Sequence, residues 1–144
     1  MKAEEILSKE CAACPNELSC IRKDVADACQ KMGFLEQDIN AVVLAIDEAC
    51  TNIIRYAYKD CSDGTIQIQI VKSDTQAIFR LHDHAPKAPK DCLKAKKSDP
   101  LKPGGLGVAL IQKVMDSVEF IEAEGCAENV LEMRKDLPLK ENEG

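Results

Sequence analysis

Glu48, Asn52 and Arg55 are set at four- and three-residue steps in a stretch that is otherwise largely apolar. In a helix those steps stack the three side chains on one face. A carboxylate one turn from a carboxamide can take a proton from a hydroxyl or a water, and the amide oxygen suits a hard cation such as Mg²⁺. The same residues also fit a plainer role, a surface glutamate and a hydrogen-bonded asparagine on a core helix. Thr51 and Asn52 argue for more than that. Two adjacent poor helix formers in mid-helix each cost roughly half a kcal/mol relative to alanine, so another role must retain them.

The residues around them predict the helix that would align them. From Gln37 to Tyr58 the chain runs QDINAVVLAIDEACTNIIRYAY. Ile39, Val42, Val43, Ile46, Ala49, Cys50, Ile53, Ile54 and Ala57 recur at three- and four-residue steps and form one apolar stripe. The opposite side begins with Ala41, Leu44 and Ala45, so it too is expected to be covered. A helix apolar nearly all round, with a polar group in its second half, points to side chains lining a pocket.

A second cluster lies further along. The segment from His82 to Gly105 carries Pro86, Pro89, Pro100 and Pro103, six lysines and no sustained apolar period. Connections this long usually bind something or move, and a basic segment in a chain of net charge −6 suits an anionic ligand. It ends in Pro103-Gly104-Gly105-Leu106-Gly107 and runs straight into VALIQKVM, which has helical spacing. Backbone N–H groups at a helix start are unpaired and attract anions, and glycine lets a phosphate approach closely. Glycine also serves tight turns, and this is neither a Walker A motif nor a GxGxxG after a strand.

The remaining elements follow from pattern. Residues 3 to 13 suit a first strand. Asn16 is an N-cap candidate for a helix with Leu18, Ile21, Val25, Ala28, Cys29 and Met32 as its stripe and Gly33 as its C′ residue. Ile66, Ile68 and Ile70 alternate with Gln67 and Gln69, and Ala77, Phe79 and Leu81 follow a Ser73-Asp74 turn, the pattern of an antiparallel hairpin. Val118 to Ala123 and Asn129 to Lys135 predict two more strands around Glu124-Gly125. This order implies an α+β two-layer sandwich, a mostly antiparallel mixed sheet with helices packed on one face. A single domain over residues 1–144 is expected, with about ten N-terminal and about seven C-terminal residues frayed.

Composition narrows the function. The net charge of −6 argues against nucleic-acid binding. No apolar run approaches a membrane span, and the N-terminus MKAEEILSKE lacks the apolar core of a signal peptide, so a cytoplasmic protein is expected. In that setting a disulfide framework is not expected of the cysteines at 11, 14, 20, 29, 50, 61, 92 and 126. Cys29 and Cys50 fall on apolar faces and are expected in the core. Cys11-Ala-Ala-Cys14 with nearby Cys20 is a weak metal or redox signal.

The motifs carry a family resemblance. DEACTNIIRYAY resembles the N-box of the gyrase, histidine-kinase and MutL (GHKL) ATPase superfamily, and more narrowly that of the anti-sigma-factor serine/threonine kinases of bacterial partner-switching systems. GGLGVALIQKVMDSVEF is similar to the second glycine box of that branch, including the Met-Asp pair after the helix. LHDHAP occupies the place of the first box, Asp-x-Gly. The match spans roughly Pro15 to Leu137.

The resemblance implies a histidine-kinase-like ATPase fold that binds ATP and Mg²⁺. Glu48 matches the acid that activates the nucleophile, and Asn52 the amide that ligates Mg²⁺. Asp83 matches the carboxylate that accepts from the adenine amino group. Gly104, Gly105, Leu106 and Gly107 match the phosphate-cradling box, and Arg55 a phosphate-side contact. The segment from Lys87 to Pro103 matches a short lid over the nucleotide. Ala85 stands where the first box has glycine. The implied activity is phosphorylation of a serine on a STAS-type anti-anti-sigma factor by an anti-sigma factor whose client is a sigma factor or an analogous protein, with a homodimer as the implied assembly. The alternative is a nucleotide- or partner-binding module of the same fold without phosphotransfer, for which Ala85 and the crowded prolines are the motive. A thiol or metal sensor using Cys11, Cys14 and Cys20 is the remaining option.

Overall fold

The computed structural model describes residues 3–54, 64–83, 105–122 and 129–138. A first strand, β1 (Glu4–Ala12), leads through a 3₁₀ turn at Pro15–Glu17 into α1 (Leu18–Lys31) and α2 (Glu36–Asn52). The hairpin β2 (Thr65–Lys72) and β3 (Gln76–Asp83) follows, then α3 (Gly105–Val114), β4 (Ser117–Glu122) and β5 (Asn129–Asp136). The strands form one five-stranded sheet in the order β1-β2-β3-β5-β4. All four pairings are antiparallel among the described strands. The last hairpin therefore adds to the sheet through β5, which lies between β3 and β4.

Alternation assigns each face. Ile66, Ile68, Ile70, Phe79, Leu81 and Met133 are essentially inaccessible to solvent and join one core cluster with Ile21, Val25, Val42 and Ile46 from the helices. Fully burying a side chain of this size contributes about 1.5–3 kcal/mol, so the helix layer is held to the sheet chiefly by these aliphatic contacts. The other face carries Gln69, Arg80, Glu132 and Arg134, with Val71 and Ile78 as a buried cross-strand pair outside that cluster. Cys29 and Cys50 lie in the core as expected, and burial raises both thiols, Cys29 to about 12.

Local chemistry sets the ends of the helices. Gly33 has φ +90, Phe34 N–H donates to Cys29 C=O and Gly33 N–H donates to Gln30 C=O. That pair of bonds is a Schellman motif, which closes α1 and turns the chain back into α2. Asn16 is not the N-cap predicted for α1. It sits inside the 3₁₀ turn, behind Pro15, and Glu17 takes the cap position without a side-chain bond. Ser73 Oγ accepts from Gln76 N–H at 3.0 Å, which fixes the β2–β3 turn.

Two further expectations are corrected. Ala45 is buried, but Leu44 beside it is 50% exposed, so the second side of α2 is covered only in part. Cys14 is disulfide-bonded, where no disulfide framework was expected.

Candidate functional site

α2 packs against both α1 and α3, and Ile46, Ala49 and Cys50 of its second half are buried in the core. Glu48 and Asn52 both lie on this half and are both partly buried. Their four-residue spacing puts them one above the other, about 6 Å apart along the axis. Asp47, next to Glu48, is engaged: Arg22 Nη1 of α1 donates to its Oδ1 at 2.9 Å. Glu48 holds no such bond among the described residues, so of two adjacent, partly buried carboxylates it is the unengaged one.

The α-helix ends at Asn52, and Ile53 and Ile54 continue it in the wider π form. Such turns recur at functional sites, because they re-aim side chains that a regular helix would stack. Apolar periodicity alone predicted an uninterrupted helix to Tyr58, and it carries no signal for this change. Arg55 lies outside the described residues.

Asp83 ends β3 and is 5% exposed. It pairs in register with Ile66 of β2 and Asn129 of β5, and it shares a face with Leu81 and Phe79. Its carboxyl therefore projects on the side where the helices pack. A buried acid at a strand end is suited to accept hydrogen bonds from a flat polar group. Ala85, Gly104 and the Lys87–Pro103 segment lie outside the described residues.

α3 begins at Gly105, within the Gly-Gly-Leu-Gly run, so Gly105, Leu106 and Gly107 form its first turn. Its far end is tied down. Lys135 Nζ donates to Val114 C=O at 3.0 Å, where a cation also suits the negative end of the helix dipole. Asp116 N–H donates to Arg134 C=O, and Asp116 Oδ2 accepts from Asp136 N–H at 2.7 Å. β5 thus fixes the direction of α3 and the outlook of its N-terminal N–H groups. The Met115-Asp116 pair of the sequence motif supplies this anchor, with Met115 buried.

Of the three cysteines of the sensor option Cys14 is disulfide-bonded, and the metal option gains nothing among the described residues. No group of His, Cys, Asp and Glu suited to a metal occurs among the described residues. Cys11 is buried in the core and burial raises its thiol. No described helix is long and apolar enough to cross a membrane.

Comparison with known proteins follows the same lines. Residues 11–135 match the family described as the histidine kinase-like ATPase domain. The serine-protein kinase RsbW of Bacillus licheniformis is 28% identical over 130 residues, which are 81% of this chain and 78% of that protein. The serine-protein kinase RsbW of Bacillus cereus strain B4264 is 33% identical over 117 residues, 75% of this chain and 72% of that protein. The crystal structure of the RsbU and RsbW domains of a Mycobacterium tuberculosis protein is similar with a TM-score of 0.65 at 16% identity, covering 95% of this chain and 33% of that one. The histidine kinase AdeS of Acinetobacter baumannii gives 0.52 at 13% identity, over 93% of this chain and 69% of that one. These two structures are likenesses of fold alone. With the family match over residues 11–135 and a relative at 33% identity, the chain belongs to the histidine kinase-like ATPase family, on its branch of anti-sigma-factor serine/threonine kinases.

Proposed function

We propose that this chain is an ATP-dependent serine protein kinase that acts as an anti-sigma factor and phosphorylates a STAS-type anti-anti-sigma protein. The observation that carries the proposal is the partly buried, unengaged Glu48 one turn from Asn52, just before α2 changes form. The names of the RsbW relatives support it.

The residues fit Mg-ATP. The Asn52 amide oxygen is a hard donor of the kind Mg²⁺ takes, and Asp83 is a buried acceptor for an adenine amino group. Bound Mg²⁺ would neutralise charge on the phosphates. The first turn of α3 offers backbone N–H groups to phosphate oxygens. Glu48 takes the proton from the serine hydroxyl as the γ-phosphoryl group is transferred, a reaction that needs positioning and electrostatics more than covalent chemistry. The added dianion weakens the docking of the substrate protein, which frees the kinase for its sigma factor or analogous client. We place the reaction in the cytoplasm, on one domain spanning residues 1–144, in a homodimer.

The test is calorimetric titration with ATP, with and without Mg²⁺, followed by transfer from labelled ATP to STAS-domain proteins. Mg²⁺-dependent binding and a labelled serine support the reading. Binding with no transfer to any STAS-domain protein favours the second reading, a binding module without phosphotransfer, which Ala85 in the first box motivates.

A further inference from the structure

Leu44 is one of two large apolar side chains that stand out in solvent among the described residues. Its helix buries Ile39, Val42 and Ile46, so the sequence has apolar residues to spare and still leaves this one open. The other, Leu35, precedes α2 and lies about half a turn round the axis from Leu44, away from the site. Leu44 is four residues before Glu48, and Glu48 four before Asn52. The three form one line along the flank of α2, at about 6 Å intervals.

That order has a direction. Phosphates lie at the Asn52 end, if the function proposed above holds. The acceptor hydroxyl must reach Glu48. A polypeptide that carries the hydroxyl and extends from Glu48 away from Asn52 along this flank passes over Leu44. We infer that Leu44 is a specificity-determining contact for the protein substrate, seating an apolar side chain that flanks the phosphorylated serine.

The chemistry of the surroundings supports an apolar partner over an ionic one. From Ile39 to Ile46 the helix carries no charged residue, in a chain of net charge −6. Asn40 and half-buried Ala41, one turn back, extend the uncharged patch. Asp47, the next acid, is engaged by Arg22. The patch is continuous with the catalytic flank, so a substrate seated there is also positioned for transfer.

The experiment uses the full chain, labelled ATP and the STAS-domain protein that the wild-type chain phosphorylates. Leu44→Asp is expected to raise KM for that protein about tenfold, the size of effect seen for a central interface contact. Its kcat at saturation and its ATP affinity should stay within about twofold of wild type, since the residue touches neither nucleotide nor hydroxyl. Leu44→Met should restore the wild-type KM, and the ratio of KM values for Leu44→Met and wild type should not change with salt. An exposed position tolerates both variants, and matching unfolding curves check this. If wild type phosphorylates the protein and Leu44→Asp does so with unchanged KM, the contact is overturned and the kinase reading stands. If wild type phosphorylates no STAS-domain protein, both fall together.

Discussion

Arg80 and Glu132 face each other directly across β3 and β5, and Arg80 Nε donates to Glu132 Oε2 at 2.8 Å on the face of the sheet that the helices leave uncovered. Arg134, two residues along β5, donates to the other carboxylate oxygen at 3.2 Å. Glu132 is only 7% exposed. Burial pushes its carboxyl up, but the hydrogen bonds from Arg80 and Arg134 and their charges outweigh this and hold it below the usual range.

That shift gives stability a pH dependence with a definite sign. A carboxylate whose folded value is depressed stabilises the fold fully above its unfolded value, about 4.3, and loses the contribution as pH falls through the folded value. Urea unfolding of wild type and Glu132→Gln across this range is the measurement. At pH 7 the variant should be less stable by about 1–2 kcal/mol. Below about pH 4 the two curves should converge. A constant difference at every pH would mean that the arginines do not favour the charged form.

Gly33 gives a second stability prediction, of different origin. Its φ of +90 is costly for an L side chain, yet a Cβ added there meets nothing within 4 Å. The penalty for Gly33→Ala is therefore backbone strain without steric clash, about 1–2 kcal/mol. Asn tolerates the left-handed region better, so Gly33→Asn should lose less. Denaturant midpoints should fall in that order with unchanged m values.

The sheet and the helix layer were legible because their signals are local and periodic. Ile66, Ile68 and Ile70 alternate with glutamines, and the stripe from Ile39 to Cys50 repeats at helical steps. The order of strands was not legible, because nothing in β5 itself says that it pairs with β3. Asn16 misled, since Pro15 favours a 3₁₀ turn before the α-helix can begin. Leu44 misled in the other direction: composition cannot say which apolar side chain lacks a neighbour. Of the candidate site, Glu48, Asn52, Asp83 and the start of α3 fall on the elements expected of them. The π form after Asn52 had no signal in the residue types.

Asp83 should set the preference for the base. A buried carboxylate accepts from the amino group of adenine and repels the carbonyl oxygen that guanine carries at the same position. Asp83→Asn keeps the volume and adds a donor. Affinity for ATP should fall about tenfold or more while affinity for GTP rises or holds, as read by competition titration. An unchanged ratio of the two would place the base elsewhere.

Glu48 and Asn52 are one turn apart, yet their variants should separate cleanly. Asn52 would hold the metal, so Asn52→Ala should weaken Mg-ATP binding by about tenfold or more and leave metal-free binding almost untouched. On the proposed reading Glu48 acts on the acceptor hydroxyl, which is absent in binary titrations. Glu48→Gln should therefore bind Mg-ATP as wild type does and transfer phosphate about 10²–10⁴-fold more slowly. Loss of the proton acceptor lowers kcat and kcat/KM together, which distinguishes it from a substrate contact such as Leu44. If Glu48→Gln transfers at near the wild-type rate, Glu48 is not the base. If it also loses ATP, the carboxylate belongs to the metal site with Asn52, and the proton must leave by another route.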